Sequence, residues 1–273
     1  MAAPAETTQA DQPSSGPEEP PRGGQATFEV WRGDEDDGEF ETFEVETQPG
    51  MVVLDAMHEI QADQAPDLAV RWNCKAGKCG SCSAEVNGHP KLMCMTRLED
   101  LEEGPIHVAP MKTFPVEKDL VCDVSWNYEQ NEEIEPFDGR ELETPAEKEK
   151  GEFRMQQEDL DRVQEFRKCI ECYLCQDVCH VLRNHDKYDA FQGPRFMIRY
   201  AGVEMHPADD GDRVEEIWDE GGIGYCNITK CCTDVCPADI EITDNGIIPM
   251  KERVASEKFD PLAMLWQKVR GED

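Results

Sequence analysis

Apolar and polar residues alternate strictly in two early stretches of the chain. "ATFEVWR" from Ala26 and "FETFEVE" from Phe40 set an apolar side chain at every second position, the period of a half-buried strand. The acidic, glycine-bounded "GDEDDGE" between them predicts a turn. In "VVLDAMHEIQAD" the period lengthens, and Val53, Ala56, Met57 and Ile60 fall on one face of a predicted helix. "AEVNGHPKLM" carries Asn87-Gly88 at its centre, the signature of a two-residue hairpin turn. "PIHVAP" reads as a further short strand. Together these predict a small mixed sheet crossed by one helix, ending near Trp126.

Further along, the pattern turns helical. "QEDLDRVQEFRKC" spaces Leu160, Val163 and Phe166 at helical intervals, and "PRFMIRYAGVEM", "DRVEEIWDE" and "PMKERVASEK" follow. Pro194 and Pro249 stand near predicted helix starts. The second unit is therefore mainly α, with its cysteines in the loops between helices. The expected organisation is a disordered acidic tail over 1–25, a first domain over 26–127, an exposed acidic linker over 128–151 and a helical domain over 152–273.

Composition narrows the chemistry. At 273 residues the chain holds two modest domains, and 60 Asp and Glu against 27 Lys and Arg give a net charge of −33. Such a surface repels nucleic acid and anionic lipid, so no nucleic-acid partner is expected. Adaptation to concentrated salt and ordinary acidity both account for it. Thirteen cysteines are too many for ordinary packing. The first twenty residues contain no apolar signal-peptide core, and no apolar run is long enough to span a bilayer. Cysteines on the reducing side of a membrane are expected to ligate metal rather than pair as disulfides.

Their spacing is specific. Cys74, Cys79 and Cys82 in "NCKAGKCGSC", with Cys94 beyond, follow the C-x4-C-x2-C…C pattern of a plant-type [2Fe–2S] cluster. Gly77 and Gly80 let the backbone curl so that its N–H groups face sulfur. Arg71, Lys75 and Lys78, with no acid between Arg71 and Ala84, favour the reduced, more anionic state. Structural zinc would pair its cysteines in two knuckles instead. "CIECYLCQDVC" (Cys169, Cys172, Cys175, Cys179) is a complete ferredoxin run. "YCNITKCCTDVCP" has Cys226, Cys232 and Cys236, but Thr229 where the remaining ligand belongs.

In two-cluster ferredoxins the fourth cysteine of each run serves the other cluster. By that rule Cys169, Cys172, Cys175 and Cys236 hold a [4Fe–4S] cluster. Cys179, Cys226 and Cys232 then hold a cubane lacking one corner, [3Fe–4S]. Two cysteines fall outside this set. Cys122 is expected in a helix as a small buried hydrophobe. Cys231 adjoins Cys232, and neighbouring side chains in an extended loop diverge.

A plant-type cluster domain, a connector and a helical domain with one complete and one threonine-edited run resemble the iron–sulfur subunit of succinate dehydrogenase/fumarate reductase. The resemblance runs from residue 26 to about 265 and covers all eleven ligand positions. It implies an α+β chain, an N-terminal β-grasp plant-type ferredoxin domain followed by an all-α bacterial-ferredoxin-like domain. It also implies that electrons pass from the FAD of a flavoprotein subunit through [2Fe–2S], [4Fe–4S] and [3Fe–4S] to quinone. The chain would lie at the cytoplasmic face of the cell membrane, held there by integral anchor subunits.

The chain departs from the widespread form of the family in two places. "CHVLRNHD" follows Cys179, where that form has proline and then tryptophans, and Asn227 stands in place of histidine. It is closer to divergent, actinobacterial-like subunits, so quinone-site residues do not transfer. The alternative is an iron–sulfur subunit of another flavin-linked oxidoreductase, of glycolate or heterodisulfide type. From Arg162 to Tyr200 seven basic residues outnumber five acidic ones. Either this excess compensates anionic clusters, or Arg183, Lys187, Arg195 and Arg199 face the anchor. His180 and His185 are candidates for a proton source near quinone or plain surface residues.

Overall fold

The computed structural model describes residues 24–261; the predicted tail through residue 23 and the last residues of the helical domain lie outside them. Strands β1 (Gln25–Gly33) and β2 (Gly38–Glu46) form the expected antiparallel hairpin, with Phe28 opposite Phe43. Helix α1 (Val53–Asp63) follows, burying Val53, Leu54, Ala56, Met57 and Ile60 against the sheet. Each large side chain among these contributes about 1.5–3 kcal/mol by leaving water. Strands β3 (Ser83–Val86) and β4 (His89–Leu92) pair across Asn87 and Gly88, whose φ values of 51° and 75° are those of a type I′ turn.

Strand β5 (Ile106–Ala109) closes the order β2-β1-β5-β3-β4. It runs parallel to β1, Phe28 opposite Ile106 and Val30 opposite Val108. Parallel neighbours need a long crossover, and here the crossover carries α1 and the first cysteine loop. This is the mixed sheet with one crossing helix that the periodicity predicts.

A two-stranded ribbon, β6 (Val116–Lys118) and β7 (Val121–Cys122), comes next. Cys122 therefore lies in a strand, not in the expected helix. It is buried with Met111, Phe114, Val124 and Tyr173, and its thiol lies 3.5 Å from the Met111 carbonyl.

The acidic segment expected to be an exposed linker is largely exposed, but it is also bound down. It carries α2 (Ser125–Glu133) and α3 (Pro145–Lys150). Glu147, 1% exposed, accepts bonds from the Thr144 and Arg154 N–H groups and from Arg140. The fully buried Arg213 donates to the Glu135 and Pro136 carbonyls and pairs with Asp209 at 2.8 Å. Two arginines thus lash an anionic strip to the helical domain.

That domain comprises α4 (Gln157–Gln164), the one-turn helices α5 (Leu174–Asp177) and α6 (His180–Arg183), α7 (Pro194–Glu204), α8 (Val214–Asp219), the one-turn α9 (Cys231–Asp234) and α10 (Ile248–Phe259). A π-helical turn, Ile242–Ile247, leads into α10. Helix α7 runs through the core, with Phe196, Met197, Ile198, Tyr200 and Ala201 all at or below 2% exposure. No helix among the described residues is long and apolar enough to cross a membrane.

The two units pack closely. Ser83 Oγ donates to the Cys172 carbonyl at 2.8 Å, and the Thr113 N–H donates to Asp177 at 3.0 Å. Arg183 forms an ion pair with Glu85, and the Tyr188 hydroxyl donates to the Thr113 carbonyl. Burial first, and the neighbouring Glu85 second, raise the Asp177 carboxyl to about 7.

Candidate iron–sulfur sites

The first cysteine set sits where the chain leaves α1 for β3. Lys75, Gly77 and Gly80 take left-handed backbone (φ 54°, 63° and 69°), which folds the loop around its own sulfurs. The N–H groups of Ala76 and Lys78 donate to Cys74 Sγ at 3.4 and 3.3 Å, and Gly77 N–H donates to Cys94 Sγ at 3.4 Å. Cys94 reaches this loop from the 3-10 turn after β4. Burial opposes ionisation of Cys79, yet hydrogen bonds from Ser81 and Cys74 bring its thiol down to about 6. Burial pushes the Cys82 thiol up to about 12. A thiol raised like that of Cys82 ionises readily only against a cation, as metal ligation supplies. The backbone N–H groups directed at sulfur fit an anionic cluster.

Cys169, Cys172, Cys175 and Cys236 line one enclosed cavity with Arg195 and Ile242. Burial raises all three thiols of the first run that face it, Cys172 to about 12. Arg195 is 7% exposed and lies beside Cys169 and Cys175; its Nη2 pairs with Glu171 at 2.6 Å. Its Nε is buried with no hydrogen-bond partner. A buried unpaired donor costs about 1–3 kcal/mol, and an inorganic sulfide in this cavity is the acceptor that would relieve it. The site therefore fits a cluster. Of the two roles the sequence left open for Arg195, its burial beside these cysteines favours compensation of cluster charge over facing a membrane anchor. Arg183 is likewise turned inward, onto Glu85 and Asp177. Lys187 and Arg199 are exposed.

Cys179, Cys226 and Cys232 form the third set. Burial pushes Cys179 up to about 11 and Cys232 to about 12, and raises Cys226. The buried Thr243 hydroxyl lies 3.5 Å from Cys232 Sγ. The second and third loops repeat one conformation 57 residues apart: a 3-10 turn ending at Cys169 or Cys226, then left-handed residues at Glu171 and Tyr173 or Ile228 and Lys230. Each then enters a one-turn helix, α5 or α9. In this repeat Thr229 occupies the place of Cys172, and Cys231 that of Leu174. Cys231 is not in an extended loop as expected; it opens α9, with its sulfur 3.3 Å from Thr229 Oγ1.

Two contacts escape sequence reasoning. A Cβ built on Gly80 would lie 2.7 Å from the Cys172 Cα, so glycine lets the first loop rest directly on the second. Arg195 offered no signal beyond the local excess of positive charge. Among the described residues, no three Cys, His, Asp or Glu side chains converge as closely as a single metal ion requires.

Fold and sites define a class: an α+β protein with a β-grasp ferredoxin domain followed by a helical two-run ferredoxin domain, built to hold iron–sulfur clusters and move electrons. Residues 27–129 match the family model of a 2Fe-2S iron-sulfur cluster binding domain, and residues 165–240 that of a 4Fe-4S dicluster domain. The chain is 33% identical over 204 residues to the fumarate reductase iron-sulfur subunit of Mycobacterium tuberculosis, covering 74% of this chain and 81% of that one. It is 31% identical over 216 residues to the succinate dehydrogenase iron-sulfur subunit of Bacillus subtilis, with 74% and 81% covered. An uncharacterised iron–sulfur protein of Methanococcus maripaludis, 31% identical over 81% of this chain, is longer, and the chain spans 42% of it. A chain of the Mycobacterium smegmatis Sdh1 complex in the apo form superposes with a TM-score of 0.82 at 58% identity, covering 87% of this chain and 98% of that one. The protein belongs to the family of succinate dehydrogenase/fumarate reductase iron–sulfur subunits.

Proposed function

We propose that the chain carries electrons between a flavoprotein subunit and quinone in a membrane-bound succinate:quinone oxidoreductase. Cys74, Cys79, Cys82 and Cys94 hold [2Fe–2S]; Cys169, Cys172, Cys175 and Cys236 hold [4Fe–4S]; Cys179, Cys226 and Cys232 hold [3Fe–4S]. When bound, these clusters supply one-electron redox chemistry at three stations. The protein's own residues set their potentials and spacing. The observation that carries this reading is the chain of contacts between sites. Gly80 seats the first loop on Cys172, and Cys236 of the last run faces the cavity of the second set.

Electrons enter at the exposed rim of the first loop. There Cys74 is exposed, and Trp72 and Met95 leave 48% and 58% of their surfaces open, apolar area suited to a flavoprotein partner. The surface that carries the exposed Lys187 and Arg199 faces an integral anchor at the cytoplasmic side of the membrane. The sequence contains no flavin fingerprint of the G-x-G-x-x-G kind, and the chain should not oxidise succinate alone. The purified, cluster-loaded subunit is assayed with succinate and an artificial dye, with and without the flavoprotein that co-purifies from membranes. Turnover only in the reconstituted pair is expected. Turnover by the subunit alone overturns the reading.

A further inference from the structure

The third site contains one more sulfur than its three thiolates. Left-handed backbone at both Ile228 and Lys230 (φ 62° and 64°) curls the loop so that alternate side chains meet. Thr229 Oγ1 thus lies 3.3 Å from Cys231 Sγ and 3.5 Å from His180 Nδ1. Thr229 is exposed and Cys231 half-buried, so this corner is reached from solvent. The Cys231 sulfur therefore sits beside the residue that marks the missing corner of a site that uses three thiolates.

We propose that Cys231 is a reserve ligand, which takes over from Thr229 and binds a fourth iron when the third centre is reduced and ferrous ion is present. The inference rests on the three-thiolate reading above. Its balance closes without an added oxidant or reductant. The centre receives one electron in ordinary turnover, the fourth iron enters as Fe(II), and the Cys231 thiol releases its proton to solvent as the Fe–S bond forms. The product is a [4Fe–4S]2+ core, formed from the reduced three-iron core plus Fe(II). A thiolate holds Fe(II) where a hydroxyl does not, so Thr229 leaves the corner open and Cys231 can close it. A fourth thiolate adds negative charge and makes the centre a poorer acceptor. Iron supply and reduction would then throttle the last station of the chain.

The test uses the assembled complex, wild type, Cys231→Ser and Cys231→Ala, with the [2Fe–2S] signal as the control for folding. Each is reduced anaerobically with dithionite, incubated with 57Fe(II), freed of loose iron, and examined by Mössbauer and electron paramagnetic resonance spectroscopy. The wild type should gain about one labelled iron per chain and lose its [3Fe–4S] signal on gentle reoxidation, while both variants keep the signal and gain none. A three-iron signal in the variants alone would mean that Cys231 already ligates a four-iron centre at rest, which overturns both the reserve role and the three-thiolate reading. Equal uptake by wild type and variants, or uptake by none, overturns it. A [3Fe–4S] signal absent from all three proteins overturns the three-thiolate reading instead.

Discussion

Replacing Arg195 with glutamine should lower the potential of the four-cysteine centre by about 50 mV. The guanidinium is buried, its Nε lacks a partner, and it lines the same cavity as Cys169, Cys172, Cys175 and Cys236. A unit charge about 6 Å away, at an effective dielectric of about 20, interacts with an added electron by about 3 kcal/mol. The Glu171 carboxylate, 2.6 Å from Nη2, offsets about half of this. About 1–1.5 kcal/mol then favours the reduced state, and a one-electron couple converts 1.4 kcal/mol to about 59 mV. Lysine at the same position keeps the charge but loses the fork, so Arg195→Lys should shift the potential by less than half as much. Glu171→Gln removes the counter-charge and should raise it. Redox titration of the assembled complex, followed by electron paramagnetic resonance, reads all three. An Arg195→Gln potential within about 10 mV of wild type, with the cluster intact, would refute the reasoning.

Arg213→Met should cost about 3–5 kcal/mol, because it leaves the buried Asp209 uncompensated and two carbonyls unpaired. A melting temperature lower by about 10 °C is expected, and an unchanged one would count against the clamp. Glu147 has its carboxyl held well below the usual range by the N–H groups of Thr144 and Arg154 and by Arg140. Its stabilisation is complete above about pH 4.3, the unfolded value, and fades as pH falls from there towards the folded one. Limited proteolysis between residues 136 and 156 should thus stay slow near neutrality and quicken in acid, whereas Glu147→Gln should be cut readily at every pH. Thr229→Cys should convert the third centre to [4Fe–4S], abolishing its three-iron resonance signal and slowing quinone reduction. Cys236→Ser should remove the [4Fe–4S] signal while sparing that of the third centre; the reverse pattern would exclude the crossed ligand assignment.

Much of the first domain was legible because period-2 alternation and an Asn-Gly turn are local signals. Phe28, Val30, Phe43 and Val45 are all buried as the alternation requires. The parallel pairing of β1 with β5 was not legible, since alternation says which face is buried but not which strand lies alongside. Cys122 was misplaced because a two-residue strand has no period to read. The acidic strip looked loose from its charge alone, although Thr144 followed three residues later by Glu147 is a capping-box pattern, and that signal was present. The sequence left open whether Arg195 compensates cluster charge or faces the anchor, because a local charge excess does not say which side chains are buried. The burial of Arg195 depends on an acceptor at Glu171 and on a cavity assembled from Cys236, distant in sequence. Cysteine spacing, in contrast, is local chemistry: the sulfurs of one set must share one cluster, so their separation along the chain is constrained before any tertiary structure is known.

The exchange of ligands proposed between the two runs has a physical reason in their repeated geometry. In each run the third cysteine, Cys175 or Cys232, lies on a one-turn helix, and the fourth, Cys179 or Cys236, follows just beyond that helix. Four residues of helix rise about 6 Å, which carries the fourth sulfur away from the site its own loop encloses. Cys236 accordingly appears on the cavity of the other run, with Cys169, Cys172 and Cys175. A cluster held this way ties together two segments more than sixty residues apart in sequence, closing a loop as a disulfide would, with a comparable entropic benefit. On the proposed assignment the first run needs Cys172 for its fourth corner, but Thr229 can replace the equivalent cysteine without loosening the tie, because Cys179 and Cys232 would still bridge the two loops. The edit at Thr229 would therefore change the chemistry of the third centre while leaving intact a cross-link within the helical domain.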